Sequence, residues 1–501
     1  HRLTYELKPD SSFNDNLEEY FSSTLKEKEE TLTDLDKNKI MKLADDLKTR
    51  QEADDDASLL PKVTIEDIPL KREYSKSSEI VGNRSIYEVG TNGLVYSDFL
   101  FPCSSLTNEE LLFSSLYTFI ITEVGIQDKS YEEIQAHQSK ISGGINAAIR
   151  LQTKEPSELG TLFLSIASKC LEENFNGMEE LIFDTIKSVR FDEEKRILDL
   201  LNIFVARNDE SLNQNGHYLA MNSAASSLNT LATTSFHISG LQMIHRAKEL
   251  ISKIQLDGDV SYIINILQNI HSKVSSKPYK IFTACSKDAL KNKLEEFEAS
   301  QANQEQQLID ATKSQIAWIT GSQVCYCAQA FAGVAREHPD SAALSVLATV
   351  LRNGFLHTAI REKGGAYGAG ASNDTATNTF KLFSYRDPKC KETFQAFEDA
   401  ISWAKTSINE QHLEEAILGV VSSIDKPLSP VGEAKNDFNF NLEDINIDDR
   451  LAFRQRIINC SIEDLVRVNE KYLTKESKKS ILAGESFKDQ AEELKLEILE
   501  V

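Results

Sequence analysis

At 501 residues, with 41% hydrophobic, 8% aromatic and 27% charged side chains, the chain is too long for one ordinary domain and too apolar to be disordered. Its 55 basic against 78 acidic residues leave a net charge of -23, which repels nucleic-acid phosphates and anionic lipid and argues against nucleic acid as a partner. Seven cysteines (Cys103, Cys170, Cys285, Cys325, Cys327, Cys390, Cys460) are few, odd in number and without zinc-knuckle spacing, so they indicate a reducing compartment, cytoplasmic or an organelle matrix, rather than a disulfide scaffold.

The chain opens on HRLTYELKPD, where Leu3, Tyr5 and Leu7 alternate with polar neighbours as in a strand. It does so with no initiator methionine, no preceding turn and no signal-peptide pattern, which leads us to expect a segment of something longer. From about 12 to 57 the sequence is rich in charge, with apolar residues at helical spacing: Leu17, Phe21 and Leu25, then Ile40, Leu43 and Leu47, around a break at Thr31-Leu32-Thr33-Asp34. That pattern predicts an exposed helical hairpin. It ends in Asp54-Asp55-Asp56, Pro61 and the alternating KVTIEDIP, so residues 1–70 are expected to form a strand and helical-hairpin connector outside a compact core.

The remainder contains a repeat. In the first copy an amphipathic helix (LTNEELLFSSLYTFIITEVG, 106–125) precedes Gly143-Gly144, a strand INAAIRLQT, a strand TLFLSIAS and a helix from about Leu171. In the second, a helix with Leu344, Leu347, Leu351 and Phe355 precedes Gly364-Gly365, a strand AYGAGAS, a strand TFKLFSY and a helix from about Lys391. Strand-like segments come before each copy (85–101 and 315–328), and KIFTACS and SILAGE close them. The predicted fold class is α+β: two homologous domains, 71–305 and 306–501, each a mostly antiparallel sheet with helices packed on one face. The uncharged run 314–335 is nearly long enough to span a bilayer, but its glutamines, hydroxyls and glycines read as buried strands, and no membrane span is expected. Cys325 and Cys327, two apart, would share one face of such a strand; with no second ligand pair nearby in sequence, core packing is favoured over metal binding.

Several catalytic patterns are missing. There is no Gly-x-Ser-x-Gly elbow, no phosphate-cradling Gly-x-x-x-x-Gly-Lys loop, and no helix with paired histidines beside a glutamate. The nearest decoy is His412-Leu413-Glu414-Glu415-Ala416, where alanine stands in place of a second ligand, and one imidazole cannot hold a catalytic zinc. The richest segment is the helix-to-strand junction Arg361-Glu362-Lys363-Gly364-Gly365-Ala366-Tyr367-Gly368-Ala369-Gly370. Its glycines would let an extended peptide approach the backbone at Gly364, Gly365 and Ala366, while the Tyr367 hydroxyl and the Arg361 guanidinium could donate to a developing oxyanion or to peptide carbonyls. The residues alone equally allow Tyr367 to pack in a core and Arg361 to pair with Glu362.

The stretch VLRNGFLHTAIREKGGAYGAGAS resembles the C-terminal signature of insulinase (pitrilysin) zinc metallopeptidases, and GGAYG followed by FSYRDP (383–388) resembles their presequence-protease branch. SYEEIQAHQSKISGG (130–144) and the acidic hairpin are similar to that family too, so the resemblance spans nearly the whole chain. It implies four homologous domains, two per half, joined by the hairpin into a clamshell around an unstructured peptide. Zinc and the general base would come from an N-terminal half that carries His-x-x-Glu-His, with no cofactor in the present chain. Arg361 and Tyr367 would reach across the chamber to hold substrate backbone and steady the tetrahedral intermediate. In FSYRDP, Asp387-Pro388 reads as a helix start with Asp at the cap, while the role of Arg386 stays open.

The leading expectation is therefore the C-terminal half of a peptidase that degrades short unfolded peptides without ATP, its zinc-bearing half lying on the same polypeptide or on a separate chain. The alternatives are a non-catalytic peptide-binding subunit paired with a separate zinc-bearing chain, and an inert scaffold. On the leading reading, the purified chain alone neither binds zinc stoichiometrically nor cleaves; one tight zinc per chain together with peptide turnover would contradict it.

Overall fold

A computed structural model describes every residue except 1, 2, 4, 7, 9, 11, 53–60, 70, 71, 154–158, 288, 291–298, 301–304 and 312–314. Its contacts divide into two units, His1–Val63 and Thr64–Val501.

The first unit is the expected hairpin, with helices at Phe13–Thr31 and Asp34–Glu52. The Asp36 carboxylate stops the chain between them by accepting the Thr33 hydroxyl at 2.6 Å and the Thr33 N–H at 3.2 Å. The apolar spacing is helical but broad, and Leu17, Phe21, Leu25, Ile40, Leu43 and Leu47 are all exposed. Among the described residues of the start no strand forms: Leu3, Tyr5 and Glu6 have no regular structure, and Leu3 and Tyr5 are exposed. Alternation makes a segment suitable for a ladder but does not supply the partner that satisfies its backbone. Leu7 and Asp54-Asp55-Asp56 lie outside the described residues.

The second unit holds two sheets. The first comprises β1 (Glu79–Val81), β2 (Arg84–Glu88), β3 (Leu94–Cys103), β4 (Ile145–Thr153), β5 (Leu159–Leu171), β6 (Lys280–Cys285) and β7 (Glu305–Gln307). The second comprises β8 (Ile316–Thr320), β9 (Tyr326–Ala332), β10 (Gly368–Asp374), β11 (Thr379–Tyr385), β12 (Lys478–Gly484) and β13 (Glu497–Glu500). Read from one edge, the orders are β4-β5-β3-β6-β2 and β10-β11-β9-β12-β8, with β1 and β13 outermost and β7 pairing with the start of β5. In each, these five strands are antiparallel except for the last pair, β6 with β2 and β12 with β8. Order and direction thus repeat strand for strand, as the element order of the sequence predicts. Residues 316–320 and 326–332 are buried strands, as expected. Among the described residues one helical stretch, Ser341–Glu362, is long and apolar enough to cross a membrane by length and composition, and half of its apolar window is buried.

The helix expected over 106–125 is interrupted at Phe113, giving Asn108–Leu112 and Ser114–Ile121. Each sheet packs one face on the helices of its own repeat. The first core gathers Phe99, Leu116, Ile120, Leu164 and Ile182, and the second Leu344, Leu347, Phe380, Phe397 and Ile481. The stretch following the hairpin lies on the second core: Ile68 is buried there, Arg72 pairs with Asp425 at 2.9 Å, and Arg454 donates to the Pro69 carbonyl at 2.9 Å.

The other faces of the sheets are covered by exchange. Helix Gly216–Ala225, from the first repeat, lies on β9, β11 and β12 of the second sheet. The Trp318 indole N–H donates to Ser223 Oγ at 2.8 Å, Ser480 Oγ lies 2.9 Å from the same hydroxyl, and Tyr326 donates to the Asn213 carbonyl at 2.7 Å. A side chain at Gly216 would sit 2.6 Å from the Tyr326 ring, so glycine is needed for this approach. In return, helix Pro430–Leu442 of the second repeat lays Ala434 and Phe438 on Tyr87, Leu100, Phe163 and Phe282 of the first sheet. Around that apolar contact the Tyr87 hydroxyl donates to Asp437 at 3.0 Å, Arg150 donates to Asn439 at 3.2 Å, and the Lys435 ammonium and Arg150 guanidinium both pair with buried Asp98. Burial and the Asp437 carboxylate together push the Tyr87 pKa up, so its hydroxyl remains a donor.

Truncating Phe438→Ala opens a cavity at a fully covered site and should lower unfolding free energy by about 3–5 kcal/mol, read from the midpoint of a denaturant titration. A loss below about 1 kcal/mol would show that this exchange contributes little.

Candidate functional site

The Arg361–Gly370 junction lies where helix Ser341–Leu351 continues as a π-helix, Arg352–Glu362, before β10 begins. In a π-helix residues five apart share a face. His357 therefore meets Glu362, with Nδ1 to Oε1 at 3.3 Å, and it also faces Arg361, four residues on, with Nε2 to Nη1 at 3.4 Å. Glu362 is thus occupied by the imidazole. Among the described residues no carboxylate pairs with Arg361, which projects into solvent.

The turn itself is fixed by backbone hydrogen bonds. The N–H of Gly365 donates to Arg361 O and that of Ala366 to Ile360 O, both at 3.1 Å. Gly365 has φ +87°, and a Cβ at Gly364 would sit 2.4 Å from Ile360 O. Both positions need glycine for different reasons, one conformational and one steric. Ala366 is buried in the second core, so its methyl group cannot face a ligand and only its backbone could do so.

Tyr367 then turns outward. It is 66% exposed, which rules out the core-packing alternative, and its hydroxyl has no hydrogen-bond partner among the described residues. The Arg361 guanidinium carbon stands 5.9 Å from the Tyr367 ring centroid, so the two sequence-predicted donors are side by side. Tyr385, at the end of β11, holds the ring edge-on at 5.5 Å and 74°. Tyr385 is in turn flanked by His217 at 4.8 Å, Tyr326 at 5.7 Å and the Arg386 guanidinium at 5.4 Å. Burial lowers the His217 pKa, which favours the neutral imidazole here. Arg386 adopts φ +48°, and its carbonyl accepts the Tyr367 N–H at 3.3 Å. The question that the sequence leaves open is answered in part: Arg386 is exposed and belongs to this cluster.

His357, Tyr385 and His217 are the members that sequence reasoning misses. The first two lie within the quoted motifs, but spacing alone gives them no role. His217 has no sequence signal, because it arrives on the exchanged helix from the other repeat. β10 ends the sheet order, with β11 as its one partner strand among those described, so an extended peptide could add along its free edge. Its seven residues, Gly368–Asp374, offer about 23 Å of such an edge, starting next to Tyr367.

Asp387 is not the cap of the following helix. That helix is Lys391–Trp403, with Cys390 at the cap position. The reason is that Asp387 exchanges backbone hydrogen bonds with Cys325, 2.8 Å each way, which keeps it in the sheet. Its carboxylate, raised in pKa by burial, accepts the Lys389 N–H at 2.9 Å and the Thr393 hydroxyl at 2.7 Å.

A hydrolytic zinc does not fit the residues of this site. His412 is spent in a capping box, its Nδ1 facing the Asn409 N–H at 3.3 Å, and its ring lies against Trp403. Among the described residues the one group of three or more potential ligands is Cys325, Cys327 and Cys390, which is buried and contains no histidine.

The family described as associated with peptidases of family M16, subfamily C, matches residues 7–250, and the family described as "PreP C-terminal domain" matches residues 321–483. The mitochondrial presequence protease of Drosophila melanogaster is 27% identical over 95% of this chain and 47% of its own length. That of Yarrowia lipolytica is 26% identical over 96% of this chain and 49% of its own length. The chain thus spans about half the length of these relatives. The crystal structure of a protease from Helicobacter pylori shares the fold, with a TM-score of 0.55 at 14% identity over 82% of this chain and all of that one.

Substituting Gly365→Ala places a side chain at positive φ and should cost about 1–2 kcal/mol of stability by chemical denaturation. Gly368→Ala, where the added Cβ meets nothing closer than 3.9 Å, should stay within about 0.5 kcal/mol of the parent. Equal losses at the two positions would refute the assigned turn geometry.

Proposed function

Because the chain belongs to the M16 peptidase family as the C-terminal half of a presequence-protease-like member, we propose that it forms the substrate-holding wall of a zinc metalloendopeptidase for short unfolded peptides. The observation that carries this reading is the exposed Tyr367 hydroxyl beside the Arg361 guanidinium, at the mouth of a free strand edge. Zinc and the general base belong to an N-terminal half, on the same polypeptide or a separate chain, since the residues here do not fit them. When bound there, the metal supplies the activated water of the family's hydrolysis.

The present residues do the remaining work. A peptide laid along β10 satisfies its backbone against the open edge, while Gly364 and Gly365 leave room for its main chain. At the end of that track Tyr367 and Arg361 donate to the peptide oxygen on which negative charge develops. Such donors act best when their positions are set beforehand. Tyr385 and its neighbours set the tyrosine, and the contact with His357 sets the arginine. The relatives named above are mitochondrial by description, and an organelle matrix is the compartment that this reading assigns.

In the complete protein Tyr367→Phe removes one donor and nothing buried. Peptide turnover should fall about a hundred-fold or more while thermal stability stays unchanged. Unaltered turnover would support an inert scaffold and contradict the assignment.

A further inference from the structure

The second sheet contains a group that the peptidase reading does not use. Cys325, which precedes β9, Cys327, in β9, and Cys390, at the cap of helix Lys391–Trp403, are all fully buried. Their sulfurs lie within 4.8 Å of one another, and Cys325 Sγ is 3.4 Å from Cys327 Sγ. The first two share a strand face, as the sequence indicates. The third arrives because the Cys325–Asp387 backbone pair folds the 387–390 turn back over that strand. The expectation of plain core packing rested on the absence of further ligands nearby in sequence, and the fold supplies one.

We propose that Cys325, Cys327 and Cys390 form a tri-thiolate site for a thiophilic closed-shell cation, monovalent copper or divalent zinc. With metal–sulfur bonds of about 2.3 Å, three thiolates on one ion stand about 4 Å apart, which is compatible with sulfurs that all lie within 4.8 Å of one another. Thiolate-only coordination selects these soft cations over magnesium or calcium. A second observation supports ionised sulfur here. Cys390 occupies the N-terminus of a 13-residue helix and makes no capping hydrogen bond with its side chain.

Among the described residues no further side chain completes the shell. Both oxygens of the neighbouring Asp387 carboxylate are already engaged, and no imidazole joins the group among the described residues. Three thiolates satisfy trigonal monovalent copper, whereas zinc would keep a fourth position; either ion would fasten β9 to the turn behind Tyr385 and Arg386. Binding converts three thiols and one cation into a tri-thiolate complex with release of three protons; no electrons move. The site stands independently of the peptidase reading, and it replaces the expectation that the chain alone holds no stoichiometric zinc.

The test is an anaerobic titration of the reduced, metal-free chain with zinc alone and with monovalent copper alone, the latter against a bicinchoninate competitor. One ion per chain in either arm supports the site and identifies the cation. Cys390→Ser should weaken binding more than about a hundred-fold, beyond the usual cost of losing an outer-shell partner. Cys103→Ser, a buried cysteine of the first core, should leave binding unchanged. X-ray absorption of the loaded parent chain, which does not depend on any variant folding, should show three sulfurs at about 2.3 Å. No one-to-one binding of either ion, a nitrogen or oxygen shell, unchanged binding in Cys390→Ser, or a disulfide among the three in freshly purified chain would each overturn the proposal.

Discussion

The reciprocal exchange of helices Gly216–Ala225 and Pro430–Leu442 is the constraint on which the second unit depends. A sheet that packs helices on one face still has a second face to cover, and an apolar one left in water costs roughly 25 cal/mol for each Å² of it. Here each repeat covers the outer face of the other. The two contacts are built differently. One is a close approach of small residues, with Gly216 under the Tyr326 ring and Ser223 bridging Trp318 and Ser480. The other is an aromatic plug, Phe438, ringed by ion pairs at Asp98 and Asp437. Removing either partner of such buried pairs leaves an unpaired charge, so the exchange is specific as well as adhesive.

The candidate site inherits its shape from this exchange. His217 stands at the start of the exchanged helix, touches Tyr385, and Tyr385 holds Tyr367. On the other side, the π-helical turn sets His357 between Arg361 and Glu362 and thereby frees the arginine from the acid beside it. Arg361 and Tyr367 reach solvent together because each is held by residues that packing has already fixed. Buried within the same strand and turn, Cys325, Cys327 and Cys390 bring their sulfurs together.

Much of the fold was legible in the sequence because repetition is visible without knowing the partners. The order helix, Gly-Gly, strand, strand, helix occurs twice, and the two sheets repeat it strand for strand. Amphipathic spacing, however, says that a face is apolar and not what covers it, so the exchange of helices was invisible. The same limit produced the strand expected at Leu3 and Tyr5, where alternation had no ladder to join. Helical spacing also cannot separate a π-turn from an α-turn, which hid the role of His357. Asp387-Pro388 has the composition of a helix cap, but its backbone pairing with Cys325 delays the helix to Lys391. Arg361 and Tyr367 were found because glycine-rich turns and resemblance both pointed to them. The core-packing alternative for Tyr367 was settled by its exposure alone.

The central claim is that the Arg361–Tyr367 corner and the edge of β10 face a bound peptide. Photo-crosslinking tests it most directly, using a non-hydrolysable unfolded peptide that carries one photo-reactive phenylalanine, bound to the complete protein and mapped by mass spectrometry. The account predicts crosslinks concentrated between Arg361 and Asp374 and suppressed by an unlabelled peptide. Crosslinks confined to other surfaces, with this segment unlabelled at saturating peptide, would contradict it.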